Sequence, residues 1–341
     1  MSRSEYDGSS RRRFAAPGNT NGTVSIRAIG YAFPAATPSV RELAAAGHLQ
    51  SEPELLEAFG FARIHQAVNE TPYELAAIAG GRALDRAGVD PASVDVLIYG
   101  GIDGVTAFTR APDPRTSMAA HRTTARFHYP GTRLQHELGL ERAQVLGVDQ
   151  LACTTLFGAV RLARALILAE GVRRVLCVAA DFFPADAGRE AIFNCTSDAA
   201  VAVLVERGGE RMVLRSATHV TKGYYWNADE LRNELVAAYF PTSREVIERT
   251  AAEAGWTPAD VDWVMPHNVG ERSWRILASL AGLGRARVWT DNIPRDGHTL
   301  AGDNFINLCD ALEAGAIQPG ERVLLFSFGY GAHWTGIAVE A

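Results

Sequence analysis

The amino-acid sequence predicts an α/β fold built from two related halves, and three observations carry that prediction. Strand-like runs rich in Val, Ile and Leu alternate with amphipathic or apolar helical runs. The segment LDRAGVDPASVDVLIYGG around Pro91 is echoed by AAEAGWTPADVDWVMPHN around Pro258, each reading as helix, Ala-Gly stop, Pro-Ala turn, Val-Asp and strand. A second echo joins GVRRVLCVAADFF to GERVLLFSFGYG in the same order. Ala-Gly-x-x-Pro is a common helix-to-strand turn, so one pair alone could arise by chance. Two pairs in one order predict copies of a single helix-strand unit, at 23–215 and 216–341, after a mobile polar tail at 1–22.

The expected strands of the first half are TVSIRAIGYAF, VDVLIYGG, VLGVD, RVLCVAAD and AAVAVLVE; those of the second are VDWVMP, ARVWT, RVLLFSFG and TGIAVEA. The expected helices include TPYELAAIAGGRALDRAG, TTLFGAVRLARALILAEG, SREVIERTAAEAG and NFINLCDALEAG, some of them closed by the Ala-Gly stop that suits a helix C-cap. If strands pair across the halves, the loops after VLGVD, VDWVMP and RVLLFSFG open into one crevice. Those loops carry Cys153, His267 and Gly329 to Gly331.

With 341 residues, 47% of them hydrophobic and 21% charged, the chain can bury a large core. RALILAEGV is too short and too closely flanked by charge for a membrane span, and the N-terminus lacks the apolar stretch of a signal peptide. A cytoplasmic protein without membrane contact is expected. The four cysteines show no C-x-x-C and no Cys/His pairing at zinc spacing, so neither a metal site nor a disulfide framework is expected. A net charge of −6 offers no footprint for nucleic acid, and the Arg run at 11–13 reads as part of a solvated tail.

Cys153 falls where a strand ends and a helix begins, at a helix N-terminus whose free N–H groups favour a thiolate. It reads either as a small buried hydrophobe or as a nucleophile, and the loop-to-helix position favours the nucleophile. Cys177 and Cys309 fit packing, being mid-strand and on an apolar helix face; Cys195 is open. His267 ends a strand in VMPHNVGERSW, and His298 sits beside a glycine in RDGHTLAGDN. A cysteine with two convergent imidazoles is the set that acyl transfer requires. The other seven histidines read as surface or core residues. The glycine-spaced FSFGYGAHWTG could turn backbone N–H groups toward a substrate oxygen, although a plain tight turn has the same look and the spacing is wrong for dinucleotide binding.

These segments resemble the thiolase superfamily, specifically β-ketoacyl-acyl-carrier-protein synthase III-like enzymes, over nearly the whole chain after residue 22. VLGVDQLACTTLFGAVRLARALI is similar to that family's cysteine segment, VMPHNVGERSWRIL to its Pro-His-Gln-Ala-Asn segment, RDGHTLAGDN to its Gly-Asn-Thr-Ser segment, and GERVLLFSFGYGAHWTGIAV to its closing glycine-rich stretch. The resemblance implies a thiolase-like αβαβα layered fold made of two duplicated βαβαβαββ halves, a homodimer, and acyl transfer through a cysteine thioester. It implies Cys153 as nucleophile, His267 as a catalytic imidazole, and the backbone N–H groups of Cys153 and Tyr330 as the oxyanion hole. It also implies an acyl carrier protein or coenzyme A thioester as donor, a second small-molecule acceptor, and no permanently bound cofactor.

Three departures stand out: His298 occupies the place of the family's catalytic asparagine, Gly270 that of the last asparagine in its histidine segment, and TSDAAVAV that of Gly-Asp-Gly-Ala-Gly. A Cys-His-His set resembles the elongating condensing enzymes, in which both imidazoles steady a malonyl-derived enolate. In a chain otherwise of the synthase III type it equally suits relatives that pass the acyl group to an alcohol or amine. Asp303 reads as a helix cap or solvated residue, with orientation of His298 the other option. The segment 105–127 looks longer than the family loop and is expected to shape pocket and dimer contact. Tyr224, Tyr225 and Trp226 are candidates for the channel wall or for packing, and Arg161, Arg164, Arg173 and Arg174 for an acidic carrier protein. The expected activity is acyl transfer in specialised-metabolite or polyketide biosynthesis; the alternatives are a non-catalytic partner subunit of a condensing enzyme and a cysteine thioester hydrolase.

Overall fold

The computed structural model describes residues 22–101, 129–184, 187–191 and 194–341. The segment 105–127 and the tail up to residue 21 lie outside the described residues. In chain order the elements are β1 (Val24–Ala32), α1 (Val40–Ala45), α2 (Pro53–Ala58), α3 (Pro72–Ala87), β2 (Val96–Gly100), α4 (Pro130–Glu137), β3 (Gln144–Val148), α5 (Thr155–Ala169) and β4 (Arg174–Asp181). A short ribbon of β5 (Glu190–Ala191) and β6 (Asn194–Cys195) leads to β7 (Ala199–Arg207), β8 (Val213–Thr221) and α6 (Arg232–Glu253). The chain closes with β9 (Trp263–Pro266), α7 (Glu271–Leu280), β10 (Arg287–Val288), α8 (Ile293–Asp296), α9 (Asp303–Glu313), β11 (Arg322–Gly329) and β12 (His333–Glu340).

The large sheet runs β10-β9-β11-β12-β8-β1-β7-β4-β2-β3. At its middle β8 and β1 share one registered pair, Ser25 with Val213, so two five-stranded units meet there by their inner edges. Counted outward from that seam, each unit has two antiparallel steps and then two parallel ones: β1-β7-β4 then β2-β3, and β8-β12-β11 then β9-β10. The two sequence echoes fall on matching places in this order, the Pro91 and Pro258 segments leading into β2 and β9 and the second pair forming β4 and β11.

Three apolar clusters set the layers. The central one packs α5 and α9 between the inward faces of both units, with Phe157 and Phe305 edge to face at 5.3 Å. A second seats α3 on the outside of the first unit, and a third seats α6 and α7 on the outside of the second. This is the expected αβαβα stack, and each fully buried Leu or Phe in it contributes about 1.5–3 kcal/mol. The central helix explains a membrane-like composition: Ala152–Ala169 is long and apolar enough to cross a bilayer, longer than RALILAEGV alone, yet half of that stretch is buried inside the fold.

Local chemistry sets the helix limits. Thr71 and Glu74 form a capping box ahead of Pro72, and Gly88 ends α3 at φ 61°, the left-handed turn that glycine adopts without strain. The small Ala79 and Ala83 let α3 lie directly on β1, where a Cβ at Gly30 would come within 2.3 Å of the Ala79 carbonyl oxygen. Two of the elements that depart from expectation are β8 and α6. The sequence does not signal β8, because Arg215, Ser216, Thr218 and His219 break its apolar pattern; Ser216 and Thr218 are nevertheless buried, with Ser216 donating to the Thr250 carbonyl at 2.6 Å. Helix α6 begins 11 residues ahead of SREVIERTAAEAG and runs straight through Pro241, a residue that removes one backbone donor without stopping this helix.

Candidate active site

Cys153 lies in a single 3-10 turn, Ala152–Thr154, between β3 and α5. Gln150 and Ala152 have φ of 64° and 46°, a left-handed conformation that costs a residue with a Cβ. That sharp fold brings the sulfur to the mouth of α5, where Thr154 and Thr155 donate back to the Leu151 and Ala152 carbonyls at 2.7 and 2.8 Å. The side chain is 5% exposed.

The Cys153 Sγ stands 3.4 Å from Nε2 of His298, and His298 Nδ1 meets Oδ2 of Asp303 at 2.5 Å. Asp303 is fully buried and saturated: the same oxygen accepts the Asn268 N–H at 2.6 Å, and its other oxygen accepts the N–H and hydroxyl of Thr299 at 2.6 and 2.7 Å. It is therefore neither solvated nor a simple cap, the first expectation for an acid at that place in the sequence, but the orienting partner of His298. Burial alone would lower the His298 pKa; the charges of Asp303 and Cys153 outweigh it and hold the imidazole well above its ordinary value.

The backbone around His298 is fixed from both halves of the chain. His298 N–H donates to the Cys195 carbonyl and its carbonyl accepts from Ser197 N–H, each at 2.8 Å. Asn268 donates to the Gly297 carbonyl at 2.7 Å and accepts from Asn307, while Asn304 spans the carbonyls of Met265 and Phe326. One buried amide network thus ties the ends of β9 and β11 to α9.

His267 follows β9 and is 2% exposed. Its ring centroid is 6.5 Å from that of His298, but no hydrogen bond joins it to His298 or Cys153 among the described residues. Its Nε2 instead pairs with the Tyr239 hydroxyl at 3.2 Å, and its Nδ1 is buried without a partner. Burial, reinforced by His298, pulls its pKa down to about 3, so the ring is neutral.

A cavity of about 350 Å3 contains Cys153, His267 and His298 and is walled largely by rings: Phe59, Phe183, Tyr239, Phe240, Phe328 and Tyr330. Tyr330 and the strand-ending Gly329 crowd the nucleophile, since a Cβ on Gly329 would stand 2.7 Å from the Leu151 carbonyl oxygen and 3.0 Å from Cys153 N. Leu235, Val236, Tyr239 and Phe240 all come from the part of α6 ahead of Pro241. Sequence reasoning misses them because proline suggests a helix boundary; the signal is the apolar i, i+1, i+4, i+5 spacing itself.

The aromatic triplet does not line this cavity. Tyr224 and Trp226 are 64% and 76% exposed, and Tyr225 packs against Trp334. Arg174 is engaged by Glu206 and Ser93, which leaves Arg161, Arg164 and Arg173 from the basic set. Cys177 and Cys309 are buried in the central core and Cys195 in a smaller cluster, with burial raising all three thiol pKa values.

Known proteins resemble this chain in sequence and in fold. The family model "3-oxoacyl-[acyl-carrier-protein (ACP)] synthase III" matches residues 149–222, and its C-terminal counterpart matches residues 251–341. A β-ketoacyl-[acyl-carrier-protein] synthase III of Streptomyces coelicolor is 30% identical over 287 residues, covering 79% of each chain. One from Coxiella burnetii is 25% identical over 280 residues, covering 76% of this chain and 81% of its own. Among solved structures, synthase III of Aquifex aeolicus superposes with a TM-score of 0.77 at 21% identity, covering 93% of this chain and 100% of its own. The acyltransferase ChlB3 superposes with 0.77 at 21% identity, covering 94% and 98%. The priming β-ketosynthase of the R1128 polyketide pathway does so with 0.73 at 21% identity, covering 93% and 96%. The chain belongs to the β-ketoacyl-acyl-carrier-protein synthase III family, a family of thiolase-fold transferases.

Proposed function

We propose that this protein is an acyltransferase that takes an acyl group from a coenzyme A or acyl-carrier-protein thioester onto Cys153 and delivers it to the hydroxyl or amine of a small-molecule acceptor. The observation that carries the reading is the continuous line from Cys153 Sγ through both nitrogens of His298 to Asp303. In the first half-reaction the raised imidazole pKa holds the proton of the Cys153–His298 pair on Nε2, and the thiolate attacks the donor carbonyl. The donor thiol then leaves with that proton. In the second, the freed imidazole takes the proton of the acceptor O–H or N–H, the heteroatom attacks the Cys153 thioester, and the cysteine recovers the proton as it leaves. Asp303 keeps Nδ1 protonated, so Nε2 faces the sulfur, and it offsets the imidazolium charge as it forms.

The apolar cavity suits the acyl chain and excludes water from the thioester. The close approach of Gly329 to Cys153 supports an oxyanion hole made from the N–H groups of Cys153 and Tyr330. A role in specialised or polyketide metabolism rests on likeness to the R1128 polyketide priming enzyme. The homodimer and cytoplasmic location remain part of the proposal; β3, the last strand of the sheet, is paired on one edge only among the described residues and offers the dimer contact.

The test is a chase. Acylated protein, freed of donor, is offered alcohols, amines, malonyl-CoA or buffer. Ester or amide formation supports the reading. Free acid alone identifies a hydrolase, a β-keto product identifies a condensing enzyme, and failure to acylate identifies a non-catalytic partner.

A further inference from the structure

Tyr239 holds a polar atom at the wall of the cavity for which acyl transfer to a heteroatom has no use. Forming a carbon–carbon bond here would begin with a malonyl thioester losing carbon dioxide. The bond from Cα to the carboxylate breaks, its electron pair moves toward the thioester carbonyl, and the oxygen carries the enolate charge until Cα takes a proton or attacks the Cys153 thioester carbon and expels the cysteine sulfur. In an apolar cavity such an anion requires hydrogen-bond donors already aimed at it.

Two imidazoles line the cavity, and protein partners hold both. His298 has Nε2 on the Cys153 sulfur and Nδ1 on Asp303. His267 has Nε2 on the Tyr239 hydroxyl at 3.2 Å, and Nδ1 is buried with no partner. The neutral His267 ring carries one proton. On Nε2 that proton is donated to the tyrosine oxygen, and on Nδ1 it leaves Nε2 as the acceptor of the phenol. Neither tautomer spares an Nε2–H for substrate. Tyr239 is fixed in this pose by edge-to-face contacts with Phe240 and Phe328 at 5.1 and 5.5 Å and by the turn of α6 ahead of Pro241.

Given acyl transfer through Cys153, on which the assignment rests, we infer that Tyr239 is a specificity-determining residue. Its hydroxyl occupies Nε2 of His267, withholds that donor from a malonyl-derived enolate, and so directs the Cys153 acyl group to oxygen or nitrogen acceptors. The experiment compares wild type, Tyr239→Phe, His267→Ala and the double variant. Carbon dioxide release from carboxyl-labelled malonyl-CoA is measured alongside acylation of Cys153 in the same preparations. Tyr239→Phe should raise release about 100-fold, the effect of one oxyanion donor, and His267→Ala added to it should remove the gain. Unchanged or slower release in Tyr239→Phe overturns the inference, as does a parallel fall of both rates, which marks packing alone. If the phenylalanine variant does not fold, Tyr239→Leu removes the same hydroxyl and is read identically. Failure of wild type to acylate Cys153 refutes the acyl-transfer reading instead, a separate result.

Discussion

His298 and His267 are the same side chain in the same cavity, with ring centroids 6.5 Å apart, and their surroundings push them in opposite directions. Both are buried, which by itself disfavours the charged ring. For His298 a saturated carboxylate and a sulfur reverse that effect; for His267 the nearest polar partner is a neutral phenol and burial wins. Residue type therefore does not assign the role. The surroundings do: Asp303 and the Cys153 sulfur lift the pKa of one ring, while burial and the neighbouring His298 leave the other neutral beside Tyr239.

Removing the carboxylate should erase this contrast most completely. Asp303→Asn should cut transfer to an alcohol or amine by about 1,000- to 10,000-fold, the scale seen when an orienting acid is lost, measured as kcat for product formation. The pH profile should move with it. The raised His298 pKa places the acid limb of the transfer rate at high pH, and without Asp303 burial dominates and the limb shifts to lower pH. An unshifted limb would dissociate the two residues.

Exchanging the imidazoles themselves separates the two rings next: His298→Gln should cost transfer about 1,000-fold and His267→Gln less than about tenfold, with kcat on an oxygen acceptor as the readout. Equal losses would mean that both carry protons. A gentler disturbance reaches the backbone rather than the proton path. Gly329→Ala puts a Cβ against Leu151 and Cys153 N, and the displaced turn should lower acylation of Cys153 about 100-fold with the fold intact by circular dichroism.

The smallest expected effect is on stability. The unfolded chain protonates His267 near its ordinary 6.5, whereas the folded chain resists down to about 3. Protons thus favour the unfolded state in that window, so this contribution to stability is complete above about pH 6.5 and is lost as pH falls toward 3. His267→Gln should flatten the acid side of a denaturant-midpoint profile across the same window, and an identical profile would show that the ring titrates normally.

Much of the fold is legible in the sequence because its signals are local and repeated. The Ala-Gly-x-x-Pro turns mark the same helix-to-strand step in each unit, and the Val-rich runs form β4, β7, β9 and β11. β8 is hidden because its buried Ser216 and Thr218 are satisfied by Thr250 on a distant helix, a compensation that no local pattern reveals. In the site, Cys153, His298 and His267 stand out for their chemistry at strand and helix ends. Asp303 is easily undervalued because an acid at the start of a helix has a common structural use, and only the fold shows it buried under Nδ1. Tyr239 shows only as part of the apolar spacing ahead of Pro241, and its contact with His267, 28 residues away, is visible only in the fold.

All of this chemistry requires that the acyl group travel on the Cys153 sulfur. Intact-protein mass spectrometry after incubation with a panel of acyl-CoA thioesters tests that requirement directly. A single acyl adduct is expected on wild type and none on Cys153→Ala; an adduct that persists in Cys153→Ala, or a wild type that never gains mass, would refute it.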